Sequence, residues 1–553
     1  MLQLGISAFY HDAAACLVRD GKVISAIEEE RFTEIKHDSS FPVYSIQWLL
    51  KKANIQSIND IDEVCWYENP KTKKDRVVKT FAKRPFRTFY NKLKFLTKYY
   101  LLSPKILLYC YFNYTGKIKY IDHHLSHGAF SYFTSPYKHA AILTVDGVGE
   151  WETITISNAI NGKITKKLSI NFPNSLGMLY STITAFLGFK PNEGEYKVMG
   201  LAPFGDPDRY YEQLMTIFSP SDKLEIDQDY FTWEYSDRVM FNLELCQLLE
   251  IAPKFPEEPM LQDHKDLAAG LQKVYEVQFG KLLKKAKKLT NSDNICLGGG
   301  CAYNGVANIK AYEHFKSVHI PFAPSDAGSA IGACLYSYKG KRRNNTNPYL
   351  GDSYKDSEIK PVLDYFSNLI SFKKYHNDEL LVNIANSIKE EKIIALFRER
   401  MEFGARALGN RSIIASPKYA DMRKRLNMII KKREGFRPFA PSVTLDNAKK
   451  YFDIKEPVPY MNIVAKNKSN LFKAATHIDG SSRVQTVTNQ SNPNYYKLLK
   501  EVGKVTGHEV LLNTSFNLKD QTITRTPLQA IERFISSEID ILVINNYLIK
   551  RKK

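Results

Sequence analysis

The chain carries a repeated strand unit. An apolar strand at Leu2–Ser7 leads to a second at Ala13–Val18, an Asp20-Gly21 turn and a third at Val23–Ile27. The same order returns at Ile142–Val145, Thr153–Ser157, Asn161-Gly162 and from Ile164 onward. Gly5 and Gly21 lie 16 positions apart, as do Asp146 and Gly162, so the second copy follows the first by 141 positions. Asp-Gly and Asn-Gly tolerate the positive φ angles of two-residue hairpin turns. Internal duplication constrains the fold strongly, because each copy is one supersecondary unit that needs a neighbour to complete its core.

Two such units facing each other describe the actin-like ATPase and sugar-kinase architecture, where each half offers a loop to nucleotide phosphates. The expected class is therefore α/β, with a duplicated actin-like domain. In the first copy the loop contains His11 and Asp12; in the second it is Asp146-Gly147-Val148-Gly149-Glu150. An acidic, glycine-bearing turn after a strand lets backbone approach a phosphate or metal closely. Upstream, His123 and His127 stand at i, i+4, so both imidazoles project from one helix face. Taken alone, the stretch 121–152 is equally a histidine-bearing helix beside an ordinary hairpin. Downstream, a strand at 295–297 runs into Gly298-Gly299-Gly300 and a helix start, and P-S-D-A-G-S-A-I-G opens another helix. Strand, glycine-rich turn and helix is an arrangement that cradles nucleotides.

The 553 residues allow roughly two to four domains. Lys339 to Ser357 lacks apolar periodicity and reads as a linker, dividing the chain into 1–345 and 346–553. Seven scattered cysteines without a C-x-x-C pair argue against a disulfide framework or a thiolate zinc site, and point to a reducing cytoplasm. The N-terminus lacks a basic, apolar signal segment, and no long uncharged apolar run predicts a membrane span. The net charge of +19 favours anionic partners. A basic, aromatic segment at 71–120 is either an amphipathic surface element that touches anionic lipid or a partner, or a helical insertion with solvated lysines. After the linker, Arg406, Arg411, Lys431, Arg433, Arg437 and Arg483 recur beside glycine-rich turns. Guanidinium forks suit phosphate and carboxylate oxygens, so this group suits a polyanionic small ligand.

Ordered motifs extend over nearly the whole chain: F-Y-H-D-A-A-A, E-E-E-R-F-T-E-I-K-H-D, D-H-H-L-S-H, T-V-D-G-V-G-E, E-Y-K-V-M-G-L-A-P-F-G, L-G-G-G-C-A-Y-N, P-S-D-A-G-S-A-I-G-A, G-N-R-S-I, R-P-F-A-P-S, H-I-D-G-S-S-R-V-Q-T-V and L-L-N-T-S-F-N. With them the chain resembles the bacterial carbamoyltransferase family of the NodU and CmcH type, which includes antibiotic O-carbamoyltransferases. The resemblance implies that residues 1–345 are similar to the actin-like metalloproteins that make threonylcarbamoyladenosine in tRNA. It implies that residues 346–553 form a smaller α+β, YrdC-like domain. In that scheme the C-terminal domain makes carbamoyl adenylate from carbamoyl phosphate and ATP with Mg2+. The N-terminal domain then passes the carbamoyl group to a hydroxyl of a sugar or natural product.

By motif, the resemblance implies metal ligands at His123, His127, Asp146 and Asp326, holding iron(II), manganese or zinc. Gly298, Gly299, Gly300 and Asn304 would surround the nucleotide. His11, with Asp12 beside it, becomes the candidate general base or acceptor-positioning group, and Lys36 would offset negative charge near the same cleft. Met461 would line the passage to the acceptor. Arg406, Lys431, Arg437 and Arg483 would recognise phosphate and carbamoyl groups, with Asn513 and Ser515 as polar contacts. Two positions depart from the family pattern: Ala405 replaces a proline in G-A-R-A-L-G, and 518–523 reads L-K-D-Q-T-I. The expected partner is a small hydroxyl acceptor and not nucleic acid, and oligomeric state is not readable. The alternatives are a threonylcarbamoyl-type tRNA-modifying enzyme and a non-catalytic ATP-binding scaffold.

Overall fold

A computed structural model describes the chain apart from Arg84, residues 221–222, 237–238 and 341–346, and Lys553, and apart from the side chains of 84–90 and 98. The centre of the expected linker, 341–346, lies outside the described residues. The chain divides into two compact units, Met1–Glu29 with His37–Thr346 and Glu30–Lys36 with Asn347–Lys553.

The first unit contains two five-stranded sheets. One has the order β3-β2-β1-β4-β5, from β1 (Leu2–Ser7), β2 (Ala14–Arg19), β3 (Lys22–Glu28), β4 (Glu63–Trp66) and β5 (Ile118–Tyr120). The other has the order β10-β9-β6-β7-β8, from β6 (His139–Val145), β7 (Glu152–Ile160), β8 (Lys163–Asn171), β9 (Asn294–Gly298) and β10 (Ser317–His319). In each, the first three strands are antiparallel and the remaining two add in parallel beside the first. Both hairpins close through two residues of positive φ: Asp20 and Gly21 at 50° and 70°, Asn161 and Gly162 at 49° and 89°. That geometry twists with the strands and suits Asp-Gly and Asn-Gly. The central strands are buried on both faces, which is why they read as continuous apolar runs.

Small residues bring the helices close. A Cβ on Gly332 would stand 1.9 Å from the Ser126 carbonyl oxygen. Helix Asp326–Ser337 therefore lies directly against helix His123–Phe133, beside the end of β6.

The second unit is built on an eight-stranded mixed sheet of order β11-β20-β19-β12-β13-β18-β14-β17. Its strands are β11 (Ile370–Lys374), β12 (Ile394–Phe397), β13 (Arg411–Ala415), β14 (Ala440–Thr444), β17 (Gln485–Val487), β18 (Val510–Ser515), β19 (Ile541–Ile544) and β20 (Tyr547–Arg551), while β15 (Val464–Lys466) pairs with β16 (Ser481–Arg483). Alternate residues face opposite layers. Phe397, Ile413, Leu512 and Ile544 join Ile359, Leu363 and Phe534 on one side. Leu396, Ile414, Leu511 and Val543 join Leu380, Ile384 and Leu498 on the other.

The segment Glu30–Lys36 departs from the expected domain boundary. Glu34 Oε1 accepts hydrogen bonds from Arg533 Nη2 at 2.6 Å and Gln529 Nε2 at 3.0 Å. Arg31 donates to the Gly404 carbonyl at 3.1 Å, and Arg525 Nε donates to the Arg31 carbonyl at 3.1 Å. These bonds tie a piece of the N-terminal sequence into the second unit. Among the described residues, no helix is long and apolar enough to cross a membrane.

Candidate functional site

Four buried side chains converge in the first unit. His123 and His127 come from one helix face, Asp146 from the end of β6, and Asp326 from the first turn of its helix. One donor atom from each lies within 4.8 Å of all the others. The two Nε2 atoms are 3.1 Å apart, and Asp146 Oδ2 lies 3.0 Å from His123 and 3.1 Å from His127. Asp326 Oδ1 stands 3.3 Å from His127 Nε2 and 3.5 Å from His123 Nε2. Among the described residues neither Asp326 oxygen finds a hydrogen-bond partner, although both are buried. A buried carboxylate left so is costly unless a cation meets it.

The set offers two imidazole nitrogens and two carboxylates, donors that suit iron(II), manganese or zinc. Ser329 Oγ contacts His127 Nδ1 at 2.9 Å and fixes that ring, the usual support for a ligating histidine. Burial disfavours the charged imidazoles, but Asp146 and Asp326 outweigh it, raising His123 and bringing His127 to about 9. Burial also works against the Asp146 carboxylate, yet both histidines hold it well below the usual range. His124 turns away: its Nδ1 meets Thr144 Oγ1 at 2.8 Å, and burial beside His123 keeps it neutral.

The first-copy loop stands next to this set. Asp12 lies 3.0 Å from His11 Nδ1 and 2.6 Å from His37 Nδ1, and accepts from Ser325 Oγ at 3.0 Å. Ser325 adjoins Asp326 in the chain, so Asp12 joins the two loops. Burial lowers the His11 pKa, but Asp12 first, then Asp326 and Asp146, lift it to about 10. These carboxylates favour the protonated ring, which suits His11 to hydrogen-bond donation, where the expectation was a general base or acceptor-positioning group.

Arg76, from helix Pro70–Ala82, was not singled out from sequence. Its Nε is buried and finds no hydrogen-bond partner among the described residues, its guanidinium lies 5.1 Å over the Phe172 ring, and burial depresses it while Tyr10, Glu68 and Glu150 counter that. Buried Val77 and Thr80 mark the inner face of this helix, and Arg76 adjoins them at i, i+4 from Thr80. That spacing was the available signal, hidden in a lysine-rich run.

Gly299 packs where only glycine fits: its φ is +86°, and a Cβ would lie 2.2 Å from the Val145 carbonyl. The turn thereby brings the Gly300 N–H to Asp146 Oδ1 at 3.2 Å, while Gly298 ends β9 beside Thr144. Asn304 is occupied otherwise than expected. Its Oδ1 caps Ala307 N at 3.1 Å and its Nδ2 bonds Gln272 at 3.0 Å, because the short helix that follows needs an N-cap.

In the second unit, Lys431 Nζ donates to Ser515 O at 2.5 Å and Asn517 Oδ1 at 2.6 Å. Burial lowers its pKa strongly, with Arg433, Arg437 and Lys36 adding to the effect. Lys36 adds its charge to the surroundings of Lys431, because segment Glu30–Lys36 is bonded into this unit. Arg437 pairs with Glu434 at 3.4 Å, and Ser515 Oγ bonds Asn517. Asn513 Nδ2 donates to Ala407 O, Ser442 and Gln485, leaving its buried Oδ1 as the group available to a ligand. Arg406 and Arg483 are both partly buried.

Arg411 leaves the expected ligand-binding group. It is wholly buried, donates to the carbonyls of Arg398, Asp352 and Glu399 at 2.6, 3.2 and 3.1 Å, and stacks on Phe397. Met461 packs with Leu408 and Ala440 in a buried apolar cluster, the environment of a core residue rather than of an open passage.

Comparison with known proteins places this geometry in a family. The Carbamoyltransferase N-terminus model matches residues 2–335, and the Carbamoyltransferase C-terminus model matches 385–551. An uncharacterized protein of Synechocystis sp. PCC 6803, sll1178, is 36% identical over 99% of this chain and 96% of its own length. Nodulation protein NolNO of Sinorhizobium fredii is 33% identical over 99% of this chain and 80% of its own. The 3'-hydroxymethylcephem-O-carbamoyltransferase of Amycolatopsis lactamdurans is 28% identical over 59% of each. The chain belongs to the carbamoyltransferase family.

Proposed function

We propose that this protein is an ATP-dependent O-carbamoyltransferase that works in the cytoplasm on a sugar or natural-product hydroxyl. Within this reading, the first unit is a duplicated actin-like domain, supported by its two sheets of matching order and strand sense. The second is YrdC-like and makes the adenylate. Water first cleaves carbamoyl phosphate to carbamate and phosphate. A carbamate oxygen then attacks the α-phosphorus of MgATP, and pyrophosphate leaves. In the first unit the acceptor oxygen attacks the carbamoyl carbon and AMP departs, the hydroxyl proton leaving with its phosphate or to solvent.

The observation that carries the reading is the four-donor set beside the His11 loop, in a chain matched by both halves of the family. A divalent ion held by His123, His127, Asp146 and Asp326 would stabilise developing negative charge on phosphate or carbamoyl oxygens. His11, held as imidazolium by Asp12, donates a hydrogen bond to the same anionic group. Lys431, Arg406, Arg437 and Arg483 serve the polyphosphate and carbamate.

The test incubates the full chain with carbamoyl phosphate and ATP, follows pyrophosphate, and screens hydroxyl compounds for a mass gain of one CONH group. Carbamoyl-phosphate-dependent pyrophosphate release, lost in Arg406→Ala, is expected. Threonine-dependent ATP use with modification of tRNA, or no carbamoyl-phosphate-dependent turnover, would overturn the reading.

A further inference from the structure

Residues 76–121 contain eight lysines and three arginines and not one aspartate or glutamate, although the whole chain has a net charge of only +19. The stretch folds as helices Pro70–Ala82, Pro85–Leu101 and Pro104–Phe112 before β5, an edge strand of its sheet. The last helix, P-K-I-L-L-Y-C-Y-F, has a single charged residue. Pro104, Leu107 and Leu108 are buried, and the two leucines join the core of the first sheet. The outer face of such a helix is ordinarily polar. Here it presents Ile106, Tyr109 and Cys110, and Leu101 and Leu102, also exposed, lead into it. Leu101 is 63% exposed and Tyr109 58%, values that rule out service to this unit's own core. Lys79, Lys83 and Lys119 find acids outside the stretch. Lys105 and Lys117 are exposed and form no ion pair among the described residues.

We propose that the face carried by residues 101–117 docks on an anionic lipid bilayer. Leucine, isoleucine and tyrosine enter the headgroup boundary while the lysines meet acidic headgroups, the combination interfacial elements use. Charge complementarity selects this occupant. A second copy of the chain would set Lys105 and Lys117 against the same lysines, with no acid in the stretch to answer them. A nucleic acid would answer the lysines but gain nothing from exposed Leu101, Leu102 and Ile106.

The experiment is flotation of the full chain with phosphatidylcholine vesicles, with and without phosphatidylglycerol, across a salt series. Binding that requires phosphatidylglycerol and falls with salt is expected. Lys105→Gln and Lys117→Gln should each lower the partition coefficient about fivefold, the equivalent of roughly 1 kcal/mol per lysine at an anionic surface. The double variant Ile106→Ser, Tyr109→Ser should release the protein from vesicles with its melting temperature unchanged, since both side chains are exposed. Four outcomes would overturn the proposal: no binding to phosphatidylglycerol vesicles, binding indifferent to the lysine variants, binding to an RNA oligonucleotide that competes with vesicles and ignores the double variant, and self-association that the double variant abolishes.

Discussion

Asp12→Asn separates the charge state of His11 from its position. Asparagine keeps the shape of Asp12 and its contact with Ser325, but removes the charge 3.0 Å from His11 Nδ1. At an effective dielectric of about 20, a unit pair at that distance is worth about 5 kcal/mol, or about four pKa units. Burial opposes the imidazolium, and Asp326 and Asp146 are the weaker contributors on the other side, so the value of about 10 should fall to the ordinary imidazole range or below. The assay is an NMR titration of ring-labelled His11 in chelator-treated protein. A wild-type ring charged at pH 7, and a variant ring neutral there, are expected. A raised histidine pKa adds stability that is complete below the unfolded value of about 6.5 and is lost as pH rises through about 10. The wild type should therefore lose stability over that interval, and the variant should lack the dependence. Activity that requires the imidazolium should likewise fall on the alkaline side in the wild type and already near neutrality in the variant. A variant whose His11 still titrates within about one unit of the wild-type ring would refute the assignment to Asp12.

The remaining predictions concern the metal set, the glycine turn and the buried arginine. His127→Ala should lower bound iron, manganese or zinc by about a hundredfold in affinity, measured by metal analysis after dialysis, whereas His124→Ala should retain it; equal loss in both would show that the set is wrongly drawn. Gly299→Ala must adopt a φ of 86° with its Cβ 2.2 Å from the Val145 carbonyl, so it should destabilise by at least about 2 kcal/mol and displace Asp146, read as a lower melting temperature together with reduced metal content. Arg411→Met leaves buried carbonyls without donors and should cost about 4 kcal/mol, or roughly 10 °C in melting temperature; an unchanged melting temperature with lost adenylation would return Arg411 to the ligand site.

What the sequence disclosed was local. The two hairpins were legible because Asp20-Gly21 and Asn161-Gly162 impose a turn on their own neighbours, whatever the rest of the chain does. His123 and His127 were legible because a helix brings i and i+4 together. Asp326 could be grouped with them only through motif order, since the contact depends on Gly332 letting two distant helices touch. Residues whose role depends on distant partners were misread or missed. The effect of Lys36 on Lys431 was missed, because hydrogen bonds from Arg533 and Gln529 to Glu34 bind its segment into the second unit. Asn304 looks like a ligand group and is a helix cap. Arg76 looks like one more surface cation and is partly buried, with its Nε enclosed. No pattern of residue types reports the raised pKa of His11, because that follows from three carboxylates brought together by folding.

The arginine pair in R-M-E-F-G-A-R-A-L-G-N-R shows how five positions of separation become two different environments. Glu402 Oε1 accepts the backbone N–H groups of Leu408, Asn410 and Arg411 at 2.7, 2.8 and 3.2 Å, gathering the loop around one buried carboxylate. Arg411 starts β13 just past that knot, and its guanidinium is drawn inward onto backbone carbonyls and Phe397. Arg406 lies on the arc that the knot encloses, between Gly404 and Gly409, whose φ angles of 106° and 116° turn the chain on either side. Ala405, on that arc, is exposed. Glu402 anchors the far end of this arc, at Leu408, Asn410 and Arg411. The consequence is a loop whose shape is set by one carboxylate: Glu402→Gln keeps one acceptor oxygen but weakens three bonds at once, and Arg406 should lose its position before the sheet behind it loses stability.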